Sequence, residues 1–536
     1  MNNIIILAGG EINQKLGFLK SACNSPALIP VNTKPLASYL IDFYKDKKSF
    51  QIHLAVNSEV AMQVQGELGV SGKDYSLFRL ENTDSPIDSL AQVVKNLSGE
   101  GDVIVNLVTT IPDRMISSGE VFLSKALTRS EQWSGICLDN NGPHFSYRDN
   151  TLVDKTHAFT GVFRCALPEL KDALAGVANR SDLICVIEYL ESRRKARYSL
   201  ISWIDCGHET NYYDAKAQLI SSRSFNQISI SMEDGTLRKK SQNIVKLSHE
   251  ADYIEMLPEK IEIYFPRILS KSVSTTQESG YIDFEYYGYP TVAEYFLYWS
   301  LTNEGWRRFF NRLQHTLTKF KEYPYSISYS AHHNFYYQKT VDRVGFFFDS
   351  IDEKLKIILS KNTMINGLNC ESFESLLPKL SSRLTELYNE DNFFIMHGDL
   401  CFSNMLFDVP SGIIRLIDPR GSFGDGCVGI YGDQKYDLAK LKHSAVFGYD
   451  FIVNGLYDLK INNEIFSYRL ASRECSDLVA GLASSLVEDL GYKNRDIDLI
   501  TSLLFLSMCP LHSENPKRQL VMYLHGLSLL NVCLKD

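Results

Sequence analysis

Through residues 1–220, short apolar runs alternate with amphipathic stretches. Ile4–Leu7, Ile52–Val56, Val103–Val108 and Ser199–Trp203 have the length and apolar content of strands. Between them, Leu36–Tyr44 and Ile87–Leu97 carry apolar residues at helical spacing. Strands alternating with helices predict βαβ units and a largely parallel sheet. The pattern changes near Ser224. Phe225–Ser231 alternates like a strand, Met232-Glu233-Asp234-Gly235 is a turn signal, and Thr236–Ser241 is the return strand. Asn243–Leu257 then places Ile244, Leu247, Ala251, Ile254 and Leu257 on one helical face, closed by Pro258. Residues 285–390 read as mostly helical with many aromatics, and helices resume after about 440, ending in Leu499–Leu506 and Arg518–Val532.

A chain of 536 residues is too long for one ordinary core. The change of pattern divides it into a domain at 1–222 and another at 223–536, the latter with a small lobe to about 290 and a larger helical lobe from about 291. Hydrophobic residues are 44 % and charged residues 22 %, which excludes a disordered or fibrous chain. The net charge of −9 advertises no broad basic face, so no nucleic-acid partner is expected, but it leaves room for a local basic pocket. No run reaches the 18–20 apolar residues or so that span a bilayer. The start, Met-Asn-Asn-Ile-Ile-Ile-Leu-Ala-Gly-Gly, has no basic leader. The eleven cysteines are scattered without a Cys-x-x-Cys pair, as expected of reduced thiols in a cytoplasm.

The sharpest chemical signal is Phe393–Asp408, F-F-I-M-H-G-D-L-C-F-S-N-M-L-F-D. Apolar strands flank His397-Gly398-Asp399-Leu400, and Asn404 follows Asp399 by five residues. After a turn at Pro410–Gly412, the strand Ile413–Ile417 delivers Asp418, and Pro419-Arg420-Gly421 break the chain. Phosphoryl transfer from ATP accounts for these residue types. An acceptor hydroxyl needs a carboxylate to orient it and take its proton, here Asp399. Magnesium needs hard oxygen ligands, here Asn404 and Asp418. His397 would brace the loop. The bland alternative is a polar loop whose carboxylates cap turns.

This H-G-D-x-x-x-x-N followed by I-D resembles the aminoglycoside phosphotransferase and choline kinase superfamily, with Gly398 where protein kinases carry Arg. The resemblance implies a two-lobed protein-kinase-like α+β fold for the C-terminal domain. It also implies a strand lysine for the α/β-phosphates and a helix glutamate to pair with it. Thr236–Ser241 supplies Lys239 and Lys240, which face opposite ways along a strand. Lys240 is favoured over Lys239, with Glu250 as partner. Both lysines are otherwise solvated surface residues. No G-x-G-x-x-G loop is present, so the Asp234-Gly235 hairpin would cover the phosphates. Tyr281–Tyr289 is the candidate hinge for adenine, or simple core. Arg420 adjoins the metal aspartate and would serve phosphate or substrate. Lys339 and Arg343, four apart on one helix face, would do likewise or lie solvated on the surface. Asp437 would buttress the catalytic loop or cap a helix.

In the first domain, Leu7-Ala8-Gly9-Gly10 and Pro26-Ala27-Leu28-Ile29-Pro30-Val31-Asn32-Thr33-Lys34-Pro35-Leu36 resemble the start of the sugar-phosphate nucleotidyltransferase and phosphocholine cytidylyltransferase family. The resemblance implies a Rossmann-like mixed sheet. Gly9 and Gly10 would let backbone amides reach a triphosphate, of CTP or another nucleotide. Trp203-Ile204-Asp205-Cys206-Gly207 is similar to the family's W-x-D-x-G, which makes Asp205 a magnesium ligand by resemblance. The chain departs from the family at three places. The glycine-rich loop with its arginine is replaced by Glu11–Asn24, where Lys15 or Lys20 would stand in. Ala27 stands in place of the family's lysine. Val108-Thr109-Thr110 follow the strand where an aspartate is expected, the nearest carboxylate being Asp113.

The pairing resembles proteins of bacterial capsule and lipopolysaccharide assembly, which implies a cytoplasmic kinase using ATP and Mg2+ on a small hydroxyl substrate, with polysaccharide-biosynthesis partners. Two alternatives stay open: a bifunctional enzyme that also makes a nucleotide-diphosphate precursor, and a non-catalytic nucleotide-binding scaffold.

Overall fold

Asn2–Ala8 is apolar on both faces because helices cover both sides of the sheet it centres. A computed structural model of the chain describes every residue except 1, 13–24, 33, 48, 69–73, 128–132, 148–155, 194–195, 220–225, 232, 274–278, 299–300, 425–426, 463 and 536. Lys15, Lys20, Met232 and the join at 220–225 lie outside the described residues. The chain divides into two compact units, Met1–Leu219 with Tyr298–Ser300, and Ile220–Leu297 with Leu301–Asp536.

In the first unit, Asn2–Ala8 pairs in parallel with Phe50–Asn57 on one side and Asp102–Leu107 on the other. Phe50–Asn57 pairs in parallel with Ser76–Leu80. His157–Ala166 joins antiparallel to Asp102–Leu107 and to Glu120–Leu127, so the sheet is mixed. Strand alternation sorts the core. Ile4 and Ile6 face the helix Leu36–Tyr44, while Ile5 and Leu7 face the helices Pro86–Lys95 and Leu167–Gly176. Ser85 starts Pro86–Lys95 by accepting the Asp88 N–H at 3.1 Å, with proline in the first turn. The expected single strand Ser199–Trp203 is instead two strands in different sheets, Arg197–Ile201 and Trp203–Asp205. The break falls at Ser202, whose N–H leaves the ladder and donates to Asp113 Oδ2 at 2.9 Å.

The second unit opens with a four-stranded antiparallel sheet in the order Asn226–Ser231, Thr236–Ser241, Gly280–Glu285, Ile268–Ser272. The helix Ile244–Glu255 packs Leu247 and Ala251 onto Ile282 and Phe284 of that sheet. An extended stretch, residues 286–290, leads out of this small lobe, and Thr291 bridges to Leu406 of the large one. The large lobe is mainly helical. At its centre Gln434–Ala445 is buried along its whole length, although it carries Asp437, Lys440, Lys442 and His443. Asn494–Met508 packs against it, and the last helix, Pro516–Cys533, packs against Asn494–Met508. The uniformly helical reading after 440 is corrected at one place. Tyr457–Asn462 and Ile465–Leu470 form a hairpin, turned at Glu464 with φ +68°, that pairs with Thr363–Ile365. No described helix is long and apolar enough to cross a membrane.

Candidate active site

The polar loop of the second unit is strung between two short antiparallel pairs. Phe393–Ile395 pairs with Tyr431–Asp433, and Met405–Asp408 with Ile413–Leu416. Their apolar side chains are buried, which pins both ends of His397–Asn404 and the start of Asp418. Asp437, from the buried helix, accepts the His397 N–H at 2.8 Å and the Gly398 N–H at 2.7 Å. Of the two readings of Asp437, the buttress is what its side chain makes. Gly398 adopts φ +80°, and a Cβ there would stand 2.5 Å from the Arg420 Cβ. The arginine of protein kinases therefore has no room at this position.

His397 is completely buried. Its Nε2 donates to the Ile417 carbonyl at 3.0 Å, and its Nδ1 accepts the Asp399 N–H at 3.2 Å. The ring ties the loop to the strand that delivers Asp418. Burial pushes the imidazole down to about 4, which keeps it neutral.

Asp399 keeps its side chain 41 % exposed. Asn404 Nδ2 donates to the Asp399 backbone carbonyl at 2.9 Å and to its Oδ2 at 3.0 Å. Both amide hydrogens of Asn404 are thereby used, and its side-chain oxygen, which accepts from the Ser403 hydroxyl at 3.4 Å, keeps a second lone pair for a cation. Asp418 takes φ +56°, rare for a non-glycine residue, and its side chain is half-exposed. Burial of its surroundings works against the charge, but the Lys239 ammonium holds the carboxyl below the usual carboxylate range. An amide oxygen and a half-exposed carboxylate, one oxygen of which accepts from Lys239, are the hard donors that magnesium prefers, so the residues fit that ion.

Lys239, not the favoured Lys240, is the inward lysine. Its Nζ donates to Glu250 Oε2 at 2.6 Å and to Asp418 Oδ1 at 2.7 Å. Lys240 points to solvent. The parity of the strand decides this: Leu237, Lys239 and Ser241 share one face, and Lys239 stands opposite Ile282, which is fully buried. Desolvation raises the Glu250 carboxyl, while Lys239 opposes the shift. Of the candidate hinge, Tyr281 lies in a strand, with the Arg238 guanidinium 4.3 Å from its ring centre, and residues 286–290 form the connection between lobes.

A further cation was not legible as part of this site. Lys440, on the buried helix three residues after Asp437, places Nζ 2.8 Å from Asp399 Oδ1. Its neighbour Arg420 donates from Nη1 to the Tyr436 hydroxyl at 3.3 Å. Arg420 and Lys339 lie over the same Phe335 ring, at 5.0 and 3.6 Å from its centre.

In the first unit the expected residues are arranged differently. The Cβ direction of Gly9 is filled, 2.4 Å from Leu80 Cδ1 and 3.1 Å from Ser89 Oγ, so close packing alone demands glycine there. Gly10 is exposed. Asp205 accepts from the Gly207 N–H at 2.8 Å, from His208 Nδ1 at 2.6 Å and from Asn211 Nδ2 at 2.9 Å. The Cys206 N–H donates to the Thr109 carbonyl at 2.8 Å. The Asp205 turn therefore meets the Thr109 turn, where a second carboxylate is missing, and Asp113 is engaged elsewhere with Ser202. Among the described residues, no cluster of three or more His, Cys, Asp or Glu side chains is arranged to hold a metal.

No protein-family profile matches this chain, and no curated protein matches it. Solved structures do. HddC from Yersinia pseudotuberculosis is similar at 14 % identity over 41 % of this chain and 99 % of that one, with a TM-score of 0.30. A thermostable mutant of aminoglycoside phosphotransferase APH(4)-Ia is similar at 10 % identity over 59 % of this chain and 92 % of that one, with a TM-score of 0.39. A UDP-glucose pyrophosphorylase complexed with UDP-glucose is similar at 13 % identity over 40 % of this chain and 97 % of that one, with a TM-score of 0.32.

Proposed function

We propose that the second unit is an ATP-dependent phosphotransferase that phosphorylates the hydroxyl of a small polar molecule. One observation carries the reading. Asp399, Asn404 and Asp418 come together at one cleft, and Asp418 is tied to a buried Lys239–Glu250 pair from the small lobe. Each residue then has a task. Asp399 accepts the proton of the acceptor hydroxyl. Lys440 and Asn404 hold its two oxygens in place, so the carboxylate needs little reorganisation. Lys239 serves the donor phosphates, and Glu250 fixes its ammonium. Magnesium, held by Asn404 Oδ1 and Asp418, would neutralise charge on the phosphates. His397 and Asp437 act through the backbone and keep the loop in register.

The test is ADP release from ATP across a panel of small alcohols, amino alcohols and sugars. Asp399→Asn should lower kcat for the preferred acceptor by about 10²–10⁴, the contribution of a positioned base, while the fold survives. Undiminished turnover in that variant would sink the assignment.

A further inference from the structure

Three cations gather near Lys440, the partner of Asp399, without carboxylate partners of their own among the described residues. Lys339, Arg343 and Arg420 make no ion pair among the described residues, although Lys440 beside them is matched by Asp399. They belong to one cluster. Lys339 and Arg420 share the Phe335 ring, and both approach Tyr436, at 5.0 and 6.0 Å from its centre. Arg343 lies four residues, about one helical turn, beyond Lys339 on the helix Lys339–Ser350 and donates Nη1 to the Ser507 carbonyl at 3.1 Å. Tyr436 and Lys440 are likewise four apart on the buried helix, so the cluster continues to Asp399 along one face. Arg420 Nε is buried with no hydrogen-bond partner.

Gathering like charges costs free energy that an anion would offset, and the cation–π contacts with Phe335 and Tyr436 offset only part of it. The Lys339 ammonium carries the mark of that cost. Burial, then the fields of Arg420, Arg343 and Lys440, push it well below the ordinary lysine range. The donor triphosphate already has its own cation in Lys239, which comes from the small lobe and is matched by Glu250 and Asp418. Of the second set, Lys339 and Arg343 are mounted on a large-lobe helix and Arg420 on the loop after Asp418, near the buried helix whose Lys440 meets Asp399.

Resting on the phosphotransferase reading, we propose that the hydroxyl acceptor carries its own negative charge, a phosphate or a carboxylate, received by Lys339, Arg343 and Arg420. In the transfer, the hydroxyl gives its proton to Asp399 and its oxygen bonds to the γ-phosphorus of ATP. The bond from that phosphorus to the β–γ bridging oxygen breaks, and ADP leaves with the electron pair. A cationic acceptor such as an amino alcohol would meet three like charges at this cluster and be rejected.

ADP release is measured with matched acceptors: ribose against ribose 5-phosphate, glucose against gluconate, and ethanolamine as the cation. An anionic member should exceed its uncharged parent at least tenfold in kcat/KM, and the two pairs separate phosphate from carboxylate. In Lys339→Met, acceptor KM should rise at least tenfold more than ATP KM. Equal or better use of ribose, glucose or ethanolamine overturns the inference and leaves the kinase reading standing. So does an ATP KM that rises as much as the acceptor KM, which assigns the cations to the donor. Calorimetry with inorganic phosphate is run in parallel on the full chain. Were no acceptor turned over, the kinase reading would fall. Phosphate binding that weakens tenfold in Lys339→Met would still support the anion pocket, and absence of phosphate binding would overturn it.

Discussion

At the scale of single residues, His397 shows how burial sets a protonation state that the loop depends on. Its Nδ1 accepts the Asp399 N–H, which an imidazolium cannot do. The unfolded chain binds this proton near 6.5, whereas the folded chain resists it down to about 4. Between those values the unfolded state holds more protons, so stability rises with pH. The contribution is complete above 6.5 and is lost as pH falls through the folded value. One proton amounts to a slope of about 1.4 kcal/mol per pH unit. Urea unfolding between pH 5 and 6 should show wild type steeper than His397→Gln by roughly 1 kcal/mol per unit. Parallel slopes would mean the ring is not held neutral by folding. The role of this histidine as a brace was legible in the sequence, because it sits between an apolar strand and the aspartate it positions. Lys440 was not. It lies 41 residues beyond Asp399 on a helix buried on every side, so no face of its pattern marks it out, and only tertiary packing brings the two together.

At the scale of elements, the strand Thr236–Ser241 carries the clearest lesson. Alternation says that one of two adjacent lysines faces inward, and the parity of the single apolar residue, Leu237, says which. Two residues from Leu237 is Lys239, and that signal outweighs any preference for Lys240. The paired strands enforce it, since Lys239 stands between Ile228 and Ile282 in the ladder. A one-residue slip would exchange the two lysines and bring Arg238 to the inner face. Lys239→Met should therefore cut kcat/KM for ATP at least a hundredfold, since removing it also leaves the buried Glu250 without its cation. Lys240→Met should stay within twofold of wild type. Steady-state kinetics on both variants checks the register directly, and equal losses would refute it. The break at Ser202 and the hairpin Tyr457–Leu470 were hidden for a different reason. Each depends on a partner distant in sequence, Asp113 in one case and Thr363–Ile365 in the other.

At the scale of the whole molecule, a net charge of −9 averages over surfaces that differ sharply. A diffuse negative total coexists with a compact group of cations around Lys440, because pairing is decided over a few ångströms and composition over the entire chain. The same distinction governs the two units. The oxygen donors that suit magnesium with ATP, the Asn404 amide and the Asp418 carboxylate, lie in the second unit, whereas Asp205 of the first is already bonded to three protein donors. A ligand that binds only the folded second unit stabilises that unit by RT ln(1 + [L]/Kd), about 2.7 kcal/mol at a hundredfold excess over Kd. For a body of this size that corresponds to a few degrees. Scanning calorimetry with ATP and magnesium should therefore raise one melting transition by a few degrees and leave the other in place. Asp418→Ala should abolish the shift, since on the proposed reading it removes a metal donor, and it frees Lys239 from half of its ion pairing. A shift that survives in Asp418→Ala, or one that moves the first unit instead, would place the nucleotide away from this cleft and end the case for phosphoryl transfer there.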